Sequence, residues 1–377
     1  MMRTTAAVLY EMGLPTPYAE SRPLHIEEVN LEGPGEGEAL VEVAAAGLCH
    51  SDLSVINGTR PRVMPIVLGH EASGIVREVG PGVNRVTPGD HVVFSYVPMC
   101  GQCEFCLSGR PNLCIPGNQA NVSGTLLNGA CRFSTSDGRR LHHHLGVSAF
   151  SRLVVVVEES LVPIRKDMPL EKAALFGCCV LTGVGAVINT AGVRPGSKVA
   201  IFGMGGVGLN VLLGARLAGA AQVIAVDIVP GKLQLAKRLG ATEVINSSLE
   251  DPVSAILDLT SGGVDYAFEA VGKAELLRQA YQVTRRGGTT VIIGLDKPDR
   301  YAEIPQVSLV TEERVIRGSY MGSSVPIRDI PRLIDLYLAG LLPVDAVISR
   351  HIELENLNAA FDDLASGEVA RQVVRFL

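Results

Sequence analysis

The spacing of hydrophobic residues along the chain changes character near residue 195. Before that point, short runs rich in β-branched residues are separated by glycine and proline, as in segments 41–47, 69–79 and 90–95. Runs of this kind are typical of β-strands joined by tight turns. The first half of the chain is therefore predicted to be rich in β-structure.

From residue 195 onward, strand-like apolar runs alternate with helical ones. The run KVAIFG precedes GVGLNVLLGARLAG, QVIAVDI, KLQLAKRLG and TEVIN, and these precede AILDLTS, VDYAFEAVG, ELLRQAYQVTRR and TTVIIG. Strict alternation predicts a parallel sheet covered by helices on both faces. We therefore expect an α/β protein with a doubly wound domain at 180–321 and a β-rich domain formed by 1–179 and 322–377.

Length, charge and cysteine content narrow the function. A chain of 377 residues is long enough for two domains, and its net charge of -6 offers no basic surface for a nucleic acid. The uncharged segment 173–193 contains cysteines, glycines and Thr182, which favours a buried segment between domains over a membrane span. The short apolar stretch in residues 1–14 and the eight cysteines predict a cytoplasmic protein whose thiols bind metal or are buried.

One group of cysteines has the spacing of a metal site. The four residues follow a C-x2-C-x2-C-x7-C pattern, and they are Cys100, Cys103, Cys106 and Cys114. Four thiolates so close together can surround one Zn²⁺ and leave no coordination position open, which predicts structural zinc. Buried free thiols would form a poor core, and a nucleic-acid zinc ribbon would need more than the one basic residue in PMCGQCEFCLSGRPNLC.

A glycine fingerprint predicts a dinucleotide-binding turn between an apolar strand and a helix. Its residues are Gly203, Gly205, Gly206, Val207 and Gly208. Gly203 permits a tight turn, Gly205 lets the backbone approach a pyrophosphate, and Gly208 lets the helix pack close to the sheet. Asp227 ends the next strand, where a carboxylate binds the adenosine ribose hydroxyls and repels a 2'-phosphate. The cofactor predicted from these residues is NAD.

Three further residues form a candidate catalytic metal site. Cys49 lies in GLCHSD, His70 in GHEASG and Cys178 in LFGCCVLTG, the last of these at the predicted junction between the domains. No spacing rule selects them, because they are far apart in the sequence. Two cysteines and one histidine with a fourth position open are nevertheless a known ligand pattern for catalytic zinc.

Taken together, these motifs resemble those of the zinc-dependent alcohol dehydrogenases in the medium-chain dehydrogenase/reductase superfamily, over essentially the whole chain. The stretch between Cys114 and Leu153 resembles the liver-type and formaldehyde dehydrogenase-type branch. The resemblance implies a GroES-like β-rich catalytic domain, a Rossmann domain, NAD and two Zn²⁺ per subunit, one catalytic and one structural. It also implies a homodimer that transfers hydride from a zinc-bound alkoxide to NAD.

The resemblance assigns roles to individual residues. Ser51 would pass on the alcohol proton, Asp52 would orient His70, and Glu71 would lie behind the zinc. The residues that would contact the cofactor are His50, Thr182, Lys232, Ile293 and Arg371, beside the fingerprint and Asp227. Two positions depart from the branch: Ser54 replaces the histidine that ends the liver-type proton relay, and Asn118 replaces an arginine that holds glutathione.

The residues that would line the substrate pocket suit a primary alcohol of medium size, aromatic or allylic. They are Tyr96, His144, Leu145 and Met321, with Arg60 near the mouth, whereas His142 and His143 are expected to be solvated. Arg60 and His144 suggest a polar group on the substrate. The alternatives are a formaldehyde dehydrogenase that uses a thiol other than glutathione, and a non-catalytic structural or redox-sensing protein that binds NAD and zinc.

Overall fold

The computed structural model describes all residues of the chain, Met1–Leu377. Its strands form three sheets. In chain order the strands are β1 (Met2–Leu9), β2 (Leu24–Leu31), β3 (Glu38–Gly47), β4 (Ile66–Val67), β5 (Glu71–Val79), β6 (His91–Phe94), β7 (Phe133–Ser134), β8 (Arg140–His143), β9 (Leu153–Val157), β10 (Leu161–Ile164), β11 (Lys198–Phe202), β12 (Gln222–Asp227), β13 (Glu243–Asn246), β14 (Val264–Glu269), β15 (Thr284–Ile292), β16 (Val315–Gly318), β17 (Arg350–Ile352) and β18 (Gln372–Arg375).

Helices are short in the first part of the chain and longer after residue 200. In chain order they are α1 (Tyr18–Ser21), α2 (His50–Ile56), α3 (Glu104–Leu107), α4 (Ile115–Ser123), α5 (Leu170–Ala173), α6 (Cys179–Gly185), α7 (Gly206–Leu217), α8 (Pro230–Arg238), α9 (Pro252–Thr260), α10 (Ala274–Val283), α11 (Gln306–Thr311), α12 (Pro326–Leu338) and α13 (Leu357–Ser366).

The parallel sheet follows the order β13-β12-β11-β14-β15-β16. Its strands alternate between two buried faces, since Val199 and Ile201 belong to the main core whereas Ala200 and Phe202 pack in a second cluster on the other face. Strands β12 and β14 flank β11 and both run parallel to it, so the order in which strands are added to the sheet reverses at β11, and the glycine fingerprint follows β11 directly. Crevices at such a switch point are where doubly wound sheets bind ligands.

The remaining strands form a barrel and a second sheet. β1, β2, β7, β8 and β4 close the barrel, and the second sheet runs β10-β6-β5-β3-β18-β17, with β9 also pairing with β3. The C-terminal strand β18 pairs antiparallel with β3, so the end of the chain lies beside Gly47. This pairing supports the domain division into 1–179 with 322–377 and 180–321, whose exact bounds remain a prediction.

The uncharged segment near residue 180 is broken and buried. The helical segments Leu170–Gly177 and Cys179–Ala191 are bent by 52° relative to each other. Together they have the length and composition of a bent membrane span, whereas no single helix is long and apolar enough to cross a membrane. Residues 179–187 are almost wholly inaccessible within the protein. A β-carbon on Gly183 would lie 2.6 Å from Asn210 in α7, so α6 and α7 are in close contact.

Two features differ from the sequence-based expectation. His143 is buried, not solvated, because it ends β8 inside the barrel and its Nε2 accepts a hydrogen bond from the Arg132 amide at 3.2 Å. Helices α4 and α11 were not anticipated. Helix α11 has no buried residue, so it lacks the apolar stripe that makes a helix recognisable in a sequence.

Candidate active site

The fold brings Cys49, His70 and Cys178 together. Strands β3 and β5 pair with Gly47 opposite Glu71, which places the residues just beyond β3 beside those just before β5. Cys178 immediately precedes α6, at the junction with the parallel-sheet domain. The two sulfurs and a nitrogen of His70 lie within 4.8 Å of one another, and all three residues are buried.

The chemistry of these three donors fits a zinc ion. His70 Nδ1 lies 3.2 Å from Asp52 Oδ1, which also accepts a hydrogen bond from the Gly69 amide at 3.1 Å. The other ring nitrogen, Nε2, is buried without a hydrogen-bond partner and is therefore free to bind a metal. The Cys178 thiol, and then Arg371 and His70, hold the pKa of Cys49 well below its usual value, which favours the thiolate that zinc requires.

Glu71 and Arg371 lie behind this cluster. Glu71 Oε2 accepts a hydrogen bond from the Cys179 amide at 3.3 Å and lies 3.6 Å from Arg371 Nη1. Burial raises the pKa of Glu71 to about 7, against the opposing charge of Arg371. Arg371 also donates to the Leu48 carbonyl, next to Cys49. The C-terminal strand thus supplies a buried cation between the metal cluster and the cofactor turn.

Two predicted residues of the proton path lie at the start of α2. Ser51 Oγ is 3.8 Å from Cys49 Sγ, and His50 is exposed at the first position of the helix. Desolvation by the surrounding protein, together with Arg371 and Lys232, lowers the pKa of His50. Ser54 donates its hydroxyl to the His50 carbonyl at 2.7 Å, so it is engaged within the helix.

Two of the predicted pocket residues, Tyr96 and His144, lie next to the same cluster. The ring of His70 lies 5.3 Å from that of Tyr96 and 5.6 Å from that of His144. Burial lowers the pKa of His144 to about 3, so its ring is neutral although Nε2 lies 3.3 Å from Asp52 Oδ1. Leu145 and Met321 are buried with φ of +53° and +51°, a strained conformation of the kind that clusters at functional sites.

The glycine fingerprint forms a tight turn whose residues have different surroundings. Gly203 has φ of +95°, and a β-carbon on Gly208 would lie 1.8 Å from the Gly203 carbonyl oxygen. A β-carbon on Gly206 would lie 2.7 Å from Arg371 Nε, which is buried without a partner, and Val207 is half-buried beside it. Of the fingerprint glycines, only Gly205 has no other atom within 4 Å of the place where a β-carbon would lie. That space, next to the first turn of α7, fits a pyrophosphate.

Asp227 is the last residue of β12 and lies beside this turn. Its Oδ2 accepts a hydrogen bond from the Met204 amide at 2.6 Å, and its Oδ1 accepts from the amides of Ile228 and Val229. Oδ2 accepts one hydrogen bond and therefore keeps a lone pair for a ribose hydroxyl. Lys232 lies in α8, where burial lowers its pKa despite the charge of Asp227.

The other predicted cofactor residues lie on two sides of the crevice. Thr182 is buried in α6, and its amide donates to the Cys178 carbonyl at 2.9 Å. Ile293 is buried at the end of β15, where its amide donates to the Glu269 carbonyl at 2.9 Å. Thr182 therefore lies close to Cys178 of the metal cluster, and Ile293 lies where the carboxyl ends of the parallel strands meet.

The four spaced cysteines form a second cluster, with their sulfurs within 4.8 Å of one another. Backbone amides point at these sulfurs: Cys103 N donates to Cys100 Sγ, and Cys100 N donates to Cys114 Sγ, both at 3.4 Å. The Cys106 amide lowers the pKa of Cys103 to about 6. Four sulfurs with amide donors fit a closed tetrahedral zinc site.

Several pocket residues were not anticipated from the sequence. The ring of Tyr320 lies 6.2 Å from that of Tyr96, and Arg62 accompanies Arg60 in the loop after α2. Two buried asparagines hold the tyrosine backbones, since Asn121 Nδ2 donates to the Tyr96 carbonyl at 2.7 Å and Asn112 Nδ2 to the Tyr320 carbonyl at 3.0 Å. The one signal in the sequence that could have indicated any of these residues is that Tyr320 directly precedes Met321, a predicted pocket residue.

Comparison with known proteins agrees with this arrangement. Residues 35–166 match the family model described as alcohol dehydrogenase GroES-like domain, and residues 206–339 match the model described as zinc-binding dehydrogenase. The chain is 41% identical to S-(hydroxymethyl)glutathione dehydrogenase of Paracoccus denitrificans, with all of both proteins covered.

Two solved structures share the whole fold. An alcohol dehydrogenase zinc-binding domain protein from Burkholderia ambifaria has a TM-score of 0.94 at 39% identity, covering 100% of this chain and 99% of that one. Benzyl alcohol dehydrogenase from Acinetobacter calcoaceticus has a TM-score of 0.93 at 34% identity, covering all of both chains. The predicted α/β fold, with its GroES-like and Rossmann domains, is confirmed. The protein therefore belongs to the NAD-dependent zinc alcohol dehydrogenases of the medium-chain dehydrogenase/reductase superfamily, in the formaldehyde dehydrogenase-type branch.

Proposed function

We propose that the protein interconverts a primary alcohol of medium size, benzylic or allylic, and its aldehyde. The observation that carries the proposal is the free Nε2 of His70, which lies beside two thiols and against the ring of Tyr96. A flat aromatic substrate suits a pocket in which Tyr96 and Tyr320 meet at 6.2 Å. The similarity to a protein named benzyl alcohol dehydrogenase supports the same substrate class.

Zinc held by Cys49, His70 and Cys178 supplies a Lewis acid, and NAD supplies the hydride acceptor. The chain's own residues orient and deprotonate the substrate. Ser51, next to Cys49, would accept the hydroxyl proton and pass it toward His50. Asp52 fixes the tautomer of His70 so that Nε2 faces the metal.

The cofactor occupies the crevice between the two domains in this proposal. Its pyrophosphate lies against Gly205 and the Arg371 side chain, and Asp227 binds the adenosine ribose with Lys232 beside it. Thr182 and Ile293 contact the nicotinamide half. The four-cysteine cluster holds the second, structural zinc.

A second candidate is the oxidation of a formaldehyde–thiol adduct. It is favoured by the name of the 41% identical relative, S-(hydroxymethyl)glutathione dehydrogenase. Against glutathione itself stands Asn118, whose amide is already bound to the Cys114 carbonyl at 2.8 Å and which carries no charge. The thiol in this alternative is therefore one other than glutathione. Membership of an enzyme family removes support for the non-catalytic alternative.

A substrate panel tests these proposals. Benzyl alcohol, cinnamyl alcohol, hexanol, and formaldehyde with several small thiols are compared by kcat/KM from NADH absorbance, before and after chelation. We expect the benzylic and allylic alcohols to be preferred, and activity to fall with loss of one zinc per subunit while NADH still binds. A preference for a formaldehyde–thiol mixture would support the second candidate. Full activity with zinc only in the four-cysteine cluster would contradict the catalytic site.

We also propose that the protein is a cytoplasmic homodimer. None of the eight cysteines forms a disulfide, which suits a reducing compartment. The outer edge of β16 is unpaired in the parallel sheet, and Val307 and Val310 are exposed on α11, the helix that precedes β16 in the chain. An unpaired edge beside apolar side chains is a surface on which a second copy can pair.

A further inference from the structure

Two arginines lie at the pocket and have no acidic partner. Arg60 and Arg62 are half-buried in the loop that follows α2, and the Arg60 amide donates to the Ser54 carbonyl at 2.8 Å. The loop is thus tied to the helix that carries Ser51 and Asp52. Arg62 forms one side-chain hydrogen bond, to the adjacent Pro61 carbonyl at 3.3 Å.

The Nε of Arg62 is buried without a hydrogen-bond partner. One other arginine in the chain has a buried Nε in this state, and it is Arg371 at the cofactor turn. A buried guanidinium nitrogen that finds no partner within the protein has lost its hydration and needs an acceptor from outside. At Arg371 the proposed acceptor is the cofactor, and at Arg62 the acceptor remains to be assigned.

Both guanidinium groups act on pocket side chains. Burial raises the pKa of Tyr320, and the charges of Arg62 and Arg60 oppose that rise. Burial lowers the pKa of Arg60, and the nearby charge of Arg62 lowers it further. Arg62 also contributes to the lowered pKa of His144. The two cations therefore repel one another beside Tyr320, and Arg62 also acts on His144.

Aromatic rings separate this charged pair from the metal ligands. The ring of His70 lies 5.3 Å from Tyr96, and Tyr96 lies 6.2 Å from Tyr320. The arginines act on Tyr320, at the outer end of this row. A substrate whose hydroxyl group lies at His70 and whose body lies along these rings would therefore present its opposite end to the arginines.

We propose that Arg60 and Arg62 form a carboxylate-binding site, so that the preferred substrate is an alcohol with a carboxylate at the end opposite its hydroxyl group. This inference rests on the proposed alcohol oxidation and names its substrate class. A carboxylate accepts hydrogen bonds from both guanidinium groups and relieves their repulsion. A neutral alcohol of the same size leaves both cations unpaired, so the site selects by charge.

Matched substrates test the site. 4-(Hydroxymethyl)benzoate carries the carboxylate, and 4-(hydroxymethyl)benzamide has the same shape without the charge. We compare kcat/KM for both in the wild-type protein, in R60Q, in R62Q and in the double variant. R85Q, which removes an exposed arginine elsewhere in the same domain, is the control. Isothermal titration with terephthalate, which cannot be oxidised, measures anion binding without turnover.

We expect the benzoate to be preferred in the wild type, and kcat/KM for it to fall about 10- to 100-fold in R62Q and further in the double variant. Oxidation of the amide should change less than about threefold, terephthalate binding should weaken in parallel, and R85Q should behave as wild type. Added salt should reduce the preference.

Other results separate the two proposals. Equal losses for benzoate and amide, with terephthalate binding unchanged, would overturn the carboxylate site while leaving alcohol oxidation intact. Failure to oxidise either compound or benzyl alcohol would overturn the proposed oxidation, and the carboxylate site with it. If formaldehyde with a carboxylated thiol is turned over instead and loses rate in R62Q, the site holds the carboxylate of a thiol adduct and not that of a benzylic alcohol.

Discussion

Gly208 and Gly205 of the fingerprint are expected to serve different purposes: Gly208 is needed for the fold, and Gly205 for binding the cofactor. Alanine at Gly208 would place its β-carbon 1.8 Å from a backbone oxygen, whereas alanine at Gly205, with φ of -75°, would meet open space. We expect Gly208→Ala to lower the free energy of unfolding by about 1–3 kcal/mol or more. Gly205→Ala should change the free energy of unfolding by less than about 0.5 kcal/mol but weaken NADH binding about tenfold or more.

Chemical denaturation and NADH fluorescence titration measure the two effects separately. If Gly205→Ala bound NADH with wild-type affinity, the pyrophosphate would not lie against Gly205. If Gly208→Ala unfolded at the wild-type denaturant concentration, the close packing of α7 on the turn would be contradicted.

Single residues also show what a sequence can reveal about a site. Cys49, His70 and Cys178 were predicted from local contexts, because the thiol and imidazole groups themselves carry the chemistry. Tyr320 and Arg62 could not be predicted in the same way. An aromatic ring or a guanidinium group gains its role from neighbours that are distant in the sequence, and those neighbours are known only from the fold.

At the scale of elements, the four-cysteine segment reaches the substrate pocket. Asn112 lies between Cys106 and Cys114, and Asn121 lies in α4, which begins directly after Cys114. Their amides hold the backbone carbonyls of both pocket tyrosines. The folding of this segment around its metal therefore also fixes the aromatic walls of the pocket.

Substitution of these asparagines should affect the pocket more than the metal. Asn112→Ala and Asn121→Ala each leave a carbonyl without its donor, at a cost of about 1–3 kcal/mol. We expect KM for benzyl alcohol to rise several-fold with little change for ethanol, while two zinc ions per subunit are retained. Asn118→Ala is the control, because its amide binds Cys114 within the same segment. Equal changes for both alcohols would argue against a positioning role.

Elements were predictable where the apolar pattern had a clear period. The strands and helices from β11 to β15 follow the alternation read from the sequence, because the central strands β11 and β12 are buried on both faces and the helices between the strands have an apolar side. Helices α4 and α11 lack such a pattern. Strand β8 is too short to show a period, which is why the burial of His143 was missed.

At the scale of the whole molecule, the site depends on contacts between distant parts of the chain. Arg371 comes from the segment just before β18, whose pairing with β3 brings it beside Glu71 and the first turn of α7. The sequence indicated that the C-terminal segment returns to the first domain. The resemblance also placed Arg371 at the cofactor. The sequence did not indicate that Arg371 would lie beside Glu71 behind the metal cluster as well, since that position depends on strand register.

The assembly of two copies can be tested at the edge of the parallel sheet. Val307 and Val310 are 73% and 72% exposed on α11, the helix that precedes β16 in the chain, and the outer edge of β16 is unpaired. A twofold axis at this edge would join the two sheets through β16 and cover these side chains. Light scattering should therefore give twice the chain mass of 39.9 kDa for the wild type.

Charge at that edge should separate the copies. We expect Val307→Asp combined with Val310→Asp to halve the mass measured by light scattering, because association would bury two unpaired carboxylates in each copy. Leu249→Asp is the matched control, since Leu249 is 82% exposed and follows β13 at the opposite edge of the same sheet. A double variant that keeps the wild-type mass would exclude this edge as the interface, and a wild type of 39.9 kDa would exclude the dimer itself.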